Sequence, residues 1–165
     1  MEIAIPKYHF NSILDVSVQD LKSMGAKAVA IDLDNTTLYD STLRPLEGVD
    51  QWINSVKAAG IPMIILSNTY PRRAKKAGKM FGMDYIAFSK KPDTRAFFVA
   101  AERLKIDVSE LAMIGDRLLA DIEGANRAGA ISVWVRPFMT EKLFARKFRK
   151  IRAHEKELLA KHGIE

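Results

Sequence analysis

Apolar residues fall into five short runs, at 28–31, 61–66, 85–88, 111–114 and 131–135, broken only by Ser132 in the last. Runs of this length without polar alternation predict strands buried on both faces, as in a parallel sheet. Between the runs, apolar positions recur at helical spacing. Val49, Trp52, Ile53 and Val56 mark a helix over 49–59 that Gly60 stops. A second helix, over 71–81, opens on Pro71 and closes at Gly82. Two more are predicted over 94–104 and 118–128, and a short one over 18–24 precedes the first strand. Residues 1–11 read as an irregular arm, and 140–161 as one long charged helix or two shorter ones. Strand and helix thus alternate five times with short connections. That pattern predicts an α/β fold, a parallel sheet of about five strands with helices on both faces.

Length and composition narrow this picture. The chain has 165 residues, which predicts a single domain over 1–165, with an N-terminal arm at 1–25 and a basic C-terminal helix at 139–162. The absence of cysteine excludes disulfides, thiolate metal sites and a cysteine nucleophile. Residues 1–10 carry no long apolar core, so no secretory signal is expected. No run approaches the ~18 apolar residues of a spanning helix. A cytoplasmic enzyme, peripheral on a membrane at most, is the expectation. Net charge is +6, and nine Lys/Arg against four Asp/Glu lie between Arg136 and Glu165. That asymmetry points to an anionic partner for the tail.

The chemistry gathers where the strands end. The first run leads into Asp32 and Asp34, the second into Ser67 and Asn68, the third into Lys90 and Lys91, and the fourth into Asp116, with Asp121 beyond. In a parallel sheet these ends share one side, where ligands bind in open α/β folds. Burying unpaired acids for packing alone is costly. Hard oxygen ligands around a small cavity suit Mg²⁺ completed by substrate phosphate. A lysine supplies compact positive charge for a phosphoryl group, and a carboxylate can form an aspartyl-phosphate. Bland alternatives exist: Asp116 as a helix cap, Ser67, Asn35 and Asn68 as turn formers, and either lysine as a surface residue. Asp121 is five residues beyond Asp116, so the two share no helical face, and they converge only if Asp116 lies in a loop.

These residues resemble the four motifs of the haloacid dehalogenase (HAD) superfamily. Asp32-Leu-Asp-Asn-Thr36 matches the first, Ser67 the second, Lys91 before Pro92 the third, and Gly115-Asp116 through Asp121 the fourth. The resemblance covers roughly 28–135 and is closest to the YqeG-type phosphatases of subfamily IIIA, some of whose relatives act on phosphatidylglycerophosphate. It implies a Rossmann-like three-layer fold and a phosphoric monoester hydrolase. By that resemblance Asp32 attacks phosphorus, and Asp34 serves as general acid and base. Asp32, the Asp34 carbonyl and Asp116 hold Mg²⁺, while Ser67, Asn68 and Lys91 bind phosphate oxygens. Asp121 and Thr36 support them. Larger relatives insert a cap after the first or second motif, and this chain has no such insertion. An open crevice and a large or surface-bound substrate are therefore expected, although an oligomer partner could close over a compact one.

The tail carries Phe144, Phe148, Ile151 and Leu158 near one helical stripe, among Arg146, Lys147, Arg149, Lys150 and Arg152. Three readings stay open: a helix packed on its own sheet, contact with anionic phospholipid, or contact with nucleic acid. Accordingly, three functions are weighed. The first is a Mg²⁺-dependent phosphatase acting on phosphatidylglycerophosphate. The second is a phosphatase for a soluble sugar phosphate, nucleotide or phosphoprotein. The third is a non-catalytic module that binds RNA.

Overall fold

The computed structural model describes residues 3–138 and 146–164, of which 146–148 as backbone only. Six strands form one wholly parallel sheet: β1 (Tyr8–Phe10), β2 (Ala28–Ile31), β3 (Met63–Leu66), β4 (Asp84–Ile86), β5 (Leu111–Gly115) and β6 (Ile131–Val135). Their order is β1-β6-β5-β2-β3-β4. The helices are α1 (Val18–Ser23), α2 (Val49–Ala58), α3 (Pro71–Phe81), α4 (Arg95–Leu104), α5 (Glu123–Ala128) and α6 (Arg146–Lys161).

Every residue of β2, β3, β5 and β6 is buried, because helices cover both faces. Successive side chains along β2 serve opposite layers. Val29 and Ile31 join a core with Leu21, Ile53, Val56 and Phe81. Ala28 and Ala30 join another with Phe97, Ala100 and Ala125. Alanine in the second layer lets α4 and α5 approach closely. At Gly124 a Cβ would lie 2.7 Å from the Phe97 ring.

Two expectations change. There are six strands rather than five, since residues 8–10 of the expected irregular arm pair with β6, Tyr8 opposite Val133 and Phe10 opposite Val135. This edge strand is held by backbone pairing, and Tyr8 and His9 stay exposed, so no apolar run announces it. The helix expected over 118–128 splits into a π-helical turn at Leu118–Ile122 and α5. Of the long tail helix, the first residues (140–145) and Phe144 lie outside the described residues, as do the side chains of Arg146, Lys147 and Phe148. From Leu158 onward the tail packs on its own molecule. Leu159 and Ile164 are buried against Trp134, Leu118, Ile122 and Ala4, and Leu158 lies against the same cluster.

Candidate active site

β2 sits near the sheet centre between β3 and β5, and chain reversals at its neighbours leave a crevice at its carboxyl end. Asp32 continues the ladder, its N–H donating to the Ile114 carbonyl at 3.0 Å. The chain then folds into a tight turn. The amides of Thr36, Thr37 and Leu38 all donate to the Leu33 carbonyl, and Asn35 takes a left-handed φ of 59°, a conformation Asn tolerates. The Thr37 hydroxyl donates to the Asp32 carbonyl at 2.9 Å, fixing the residue that bears the first carboxylate.

β5 contributes Asp116. Its carboxylate accepts from the Thr36 hydroxyl at 3.2 Å and from the Arg152 guanidinium. Its carbonyl accepts from the Trp134 indole at 2.9 Å. The π-helical turn then inserts an extra residue into the spacing, which brings Asp121 back over the strand end. Asp121 Oδ2 accepts from the Arg117 amide at 3.1 Å. The close approach depends on Gly115, where a side-chain carbon would overlap the Asp121 carboxyl group. One carboxylate oxygen each from Asp32, Asp116 and Asp121 lies within 4.8 Å of the others, and all three residues are buried.

Lys91 enters this cluster from the loop after β4. Phe88 and Lys90 both have positive φ, and the resulting loop buries Lys91 while leaving Lys90 exposed. Lys91 Nζ donates to Asp121 Oδ1 at 2.5 Å, the Leu66 carbonyl at 2.7 Å and Asp32 Oδ1 at 3.1 Å. Asn68 holds the loop in place. Its Oδ1 accepts from the Ser89 hydroxyl at 2.6 Å and the Lys91 amide at 2.9 Å, and its Nδ2 donates to the Lys91 carbonyl at 3.2 Å. The Asn68 side chain is thus engaged with Lys91's backbone. Ser67 is buried, and its hydroxyl accepts from the Thr69 amide at 3.1 Å.

Asp34 pairs with Arg73 rather than with a member of the triad. Arg73, from the first turn of α3, grips it at two points, Nη2 to Oδ1 at 2.7 Å and Nη1 to Oδ2 at 3.0 Å, the geometry that makes Arg–carboxylate pairs strong. Arg73 also donates twice to the Thr42 carbonyl, and the Ser41 amide donates to Asp34 Oδ1 at 2.8 Å. Sequence reasoning missed Arg73. The available signal is that Arg73 stands on the buried stripe Ala74, Ala77, Phe81 of α3, a position where an arginine needs a partner. Arg152 and Glu155 were also missed as site residues. Glu155 is a buried acid within a basic helix. It accepts from the Leu119 amide at 3.2 Å and from Arg152 Nη1 at 3.1 Å.

The electrostatics follow from burial. Burial pushes the Asp32 carboxyl well above the usual range, Asp121 adds to the rise and Lys91 opposes it. Burial raises Asp116 to about 6 against the pull of Arg152, with Asp121 contributing to the rise. Burial pulls Lys91 down, but Asp121 and Asp32 outweigh it, so its ammonium is held more firmly than usual. Carboxylates outnumber cations in the cluster, since Lys91 serves Asp32 and Asp121 while Arg152 is shared between Asp116 and Glu155. Its donors are all hard oxygens, so the residues fit a divalent cation such as Mg²⁺.

A strand end carrying Asp32, an acidic triad and a buried lysine meet at the switch of a parallel sheet. The family model for haloacid dehalogenase-like hydrolases matches residues 5–129, and the chain belongs to that family, as one of its phosphatases. Among its relatives, a protein named probable phosphatase YqeG from Bacillus subtilis (strain 168) is 28% identical over 146 residues, 88% of this chain and 85% of that one. An uncharacterized protein from Listeria monocytogenes serotype 4b superposes with a TM-score of 0.54 at 25% identity, covering 73% of this chain and 88% of that one. D,D-heptose 1.7-bisphosphate phosphatase from B. bronchiseptica, solved with magnesium and phosphate, shares the fold, with a TM-score of 0.53 at 18% identity over 67% of this chain and 79% of that one. No separate cap domain accompanies the fold among the described residues, and none of their helices is long and apolar enough to cross a membrane.

Proposed function

We propose that the protein is a Mg²⁺-dependent phosphatase that hydrolyses a phosphate monoester through an aspartyl-phosphate on Asp32, and that phosphatidylglycerophosphate is its substrate. The observation that carries the chemistry is the buried triad Asp32, Asp116 and Asp121 with Lys91 in hydrogen-bond reach of two of its members. Asp32, Asp116 and the Asp34 carbonyl would hold the cation, which supplies charge to offset the repulsion between carboxylate and phosphate. Asp32 Oδ forms a bond to phosphorus as the ester P–O bond breaks, and Asp34 gives its proton to the departing oxygen. Asp34 then takes a proton from water, whose oxygen attacks phosphorus and frees the Asp32 carboxylate and phosphate. Ser67 and Lys91 orient the phosphoryl oxygens, Lys91 by charge. Asp121 steadies Lys91, Thr36 steadies Asp116, and Asn68 acts through the Lys91 backbone.

The lipid substrate is supported by the absence of a cap insertion, the basic tail and the similarity to the YqeG-type phosphatases. A soluble phosphate ester is the second reading, favoured by a partly open cavity beside Asp116. The test is phosphate release from a monoester panel, including phosphatidylglycerophosphate in mixed micelles, with Mg²⁺ and with chelator. Mg²⁺-dependent release that falls by up to about six orders of magnitude in Asp32→Asn is expected, the scale at which loss of a nucleophile acts. Release that persists in the mutant overturns the assignment of Asp32.

A further inference from the structure

The C-terminal helix borders a space that the reaction described above does not use. α6 lies beside the end of β6, and between them is a cavity of about 640 Å³, within the range of small-molecule sites and far larger than a single phosphate. Asp116 forms part of its wall. Neither Asp32 nor Lys91 lines it, so a substrate with its phosphoryl group at Asp32 would reach this cavity by extending past Asp116. We propose that the cavity binds a second, phosphate-type anion carried by the monoester substrate, with Arg152 as its main cationic contact. The inference rests on the phosphatase reading and deepens it by assigning a substrate class.

Charge is the first argument. Among the described residues, Arg136, Arg149, Arg152 and Lys156 line the cavity with Asp116 and Glu155, so cationic side chains outnumber carboxylates in a concave space, an arrangement that concentrates anions. Shape is the second. Trp134 and Phe138 form an apolar wall, suited to the carbon linker between two phosphates rather than to a second hydrated ion. The placement of Arg152 is the third. It bridges Asp116 and Glu155 from α6, with a side chain about one-fifth exposed. A cation on Asp116 competes with Arg152 for that carboxylate, and Glu155 keeps the guanidinium at the cavity wall. Planar, doubly donating arginine is the side chain suited to phosphate. A soluble bisphosphate and the phosphodiester of a phospholipid present the same anion, so the experiment separates them.

Binding is measured first, by calorimetry with Mg²⁺ on the Asp32→Asn protein, which holds ligand without turnover. The probes are a homologous series of alkanediol bisphosphates and the matching alkyl phosphates. At the best linker length the bisphosphate should bind at least about ten-fold tighter, the size of one charge-assisted contact. The ratio should fall about ten-fold on adding Arg152→Met and recover in part with Arg152→Lys. Should Arg152→Met fail to fold, Lys156→Met, at an exposed rim position, is expected to lower the same ratio by a smaller factor. Equal binding of mono- and bisphosphates at every length, or a ratio unmoved by these changes in folded protein, overturns the proposal. Turnover then compares phosphatidylglycerophosphate in micelles with its deacylated form. A similar dependence on Arg152 for both supports a site that reads the anion, and a preference for the acylated form independent of Arg152 overturns it. No phosphate release from any ester overturns the phosphatase reading, while the calorimetric ratio still decides the cavity.

Discussion

On the proposed assignment, Arg73 positions the carboxyl group of Asp34 that would serve as general acid and base. The pair is bidentate and Arg73 is almost wholly buried, so truncating the arginine removes a partner that water replaces poorly. Arg73→Met should lower turnover of alkyl phosphates by about ten- to a hundred-fold, within the usual worth of general acid–base catalysis. Hydrolysis of p-nitrophenyl phosphate, whose leaving group needs little protonation, should fall much less. Equal losses on both esters would remove Arg73 from any role in positioning the acid.

The acidic triad makes a second prediction at this scale. With its carboxyl raised to about 6 in the metal-free fold, Asp116 binds its proton more readily folded than unfolded. That contribution to stability is fully present below the unfolded value near 3.8 and is lost as pH rises through about 6. Mg²⁺ requires the ionised carboxylates, so it competes with the protons. Thermal unfolding should therefore show a Mg²⁺-induced rise in Tm that is large at pH 7.5 and shrinks toward pH 5.5. At ~100-fold excess over Kd the stabilisation is about 2.7 kcal/mol. A rise independent of pH would place the cation elsewhere.

Among the elements, the turn after β5 does the most to assemble the site. A regular α-helix from Leu118 could not bring Asp121 beside Asp116, and the π-helical turn supplies the missing rotation, as such turns often do at functional sites. Gly115 makes room for it. Gly115→Ala should drive the Asp121 carboxylate from Lys91 and destabilise the protein by about 1–3 kcal/mol, the usual range for overpacking. Denaturant unfolding measures the loss, and Mg²⁺ affinity should fall with it. The same turn explains what the residue pattern left open: periodicity places 118–128 on a helix, but it cannot register one inserted residue. β1 was illegible for a related reason, since its pairing with β6 is made by backbone groups common to every sequence.

For the whole molecule, α6 closes the flank beside the end of β6 and the turn after β5. Leu159 and Ile164 anchor it to Trp134, Leu118 and Ile122, and Glu155 caps the Leu119 amide. Leu159→Ala should cost about 2–3 kcal/mol by cavity formation, read from chemical denaturation. If packing of this helix shapes the cavity beside Asp116, KM for the preferred ester should rise in the same variant.

The sequence by itself determined the layered sheet, because short apolar runs alternating with helical stripes leave few other ways to bury both. It also determined which strand ends lead to Asp32, Ser67, Lys91 and Asp116, because those residues follow the apolar runs within three positions. The motif resemblance favoured Lys91 over Lys90, and the loop after β4 turns Lys91 inward; tertiary structure alone decided that Asn68 serves the Lys91 loop and that Asp34 is held by Arg73. It alone brought Arg152 to Asp116 from 36 residues away in sequence. The difference is physical. Burial patterns are local and periodic, so they are written along the chain, whereas charge pairing depends on distances between segments that only the packed sheet and helices fix.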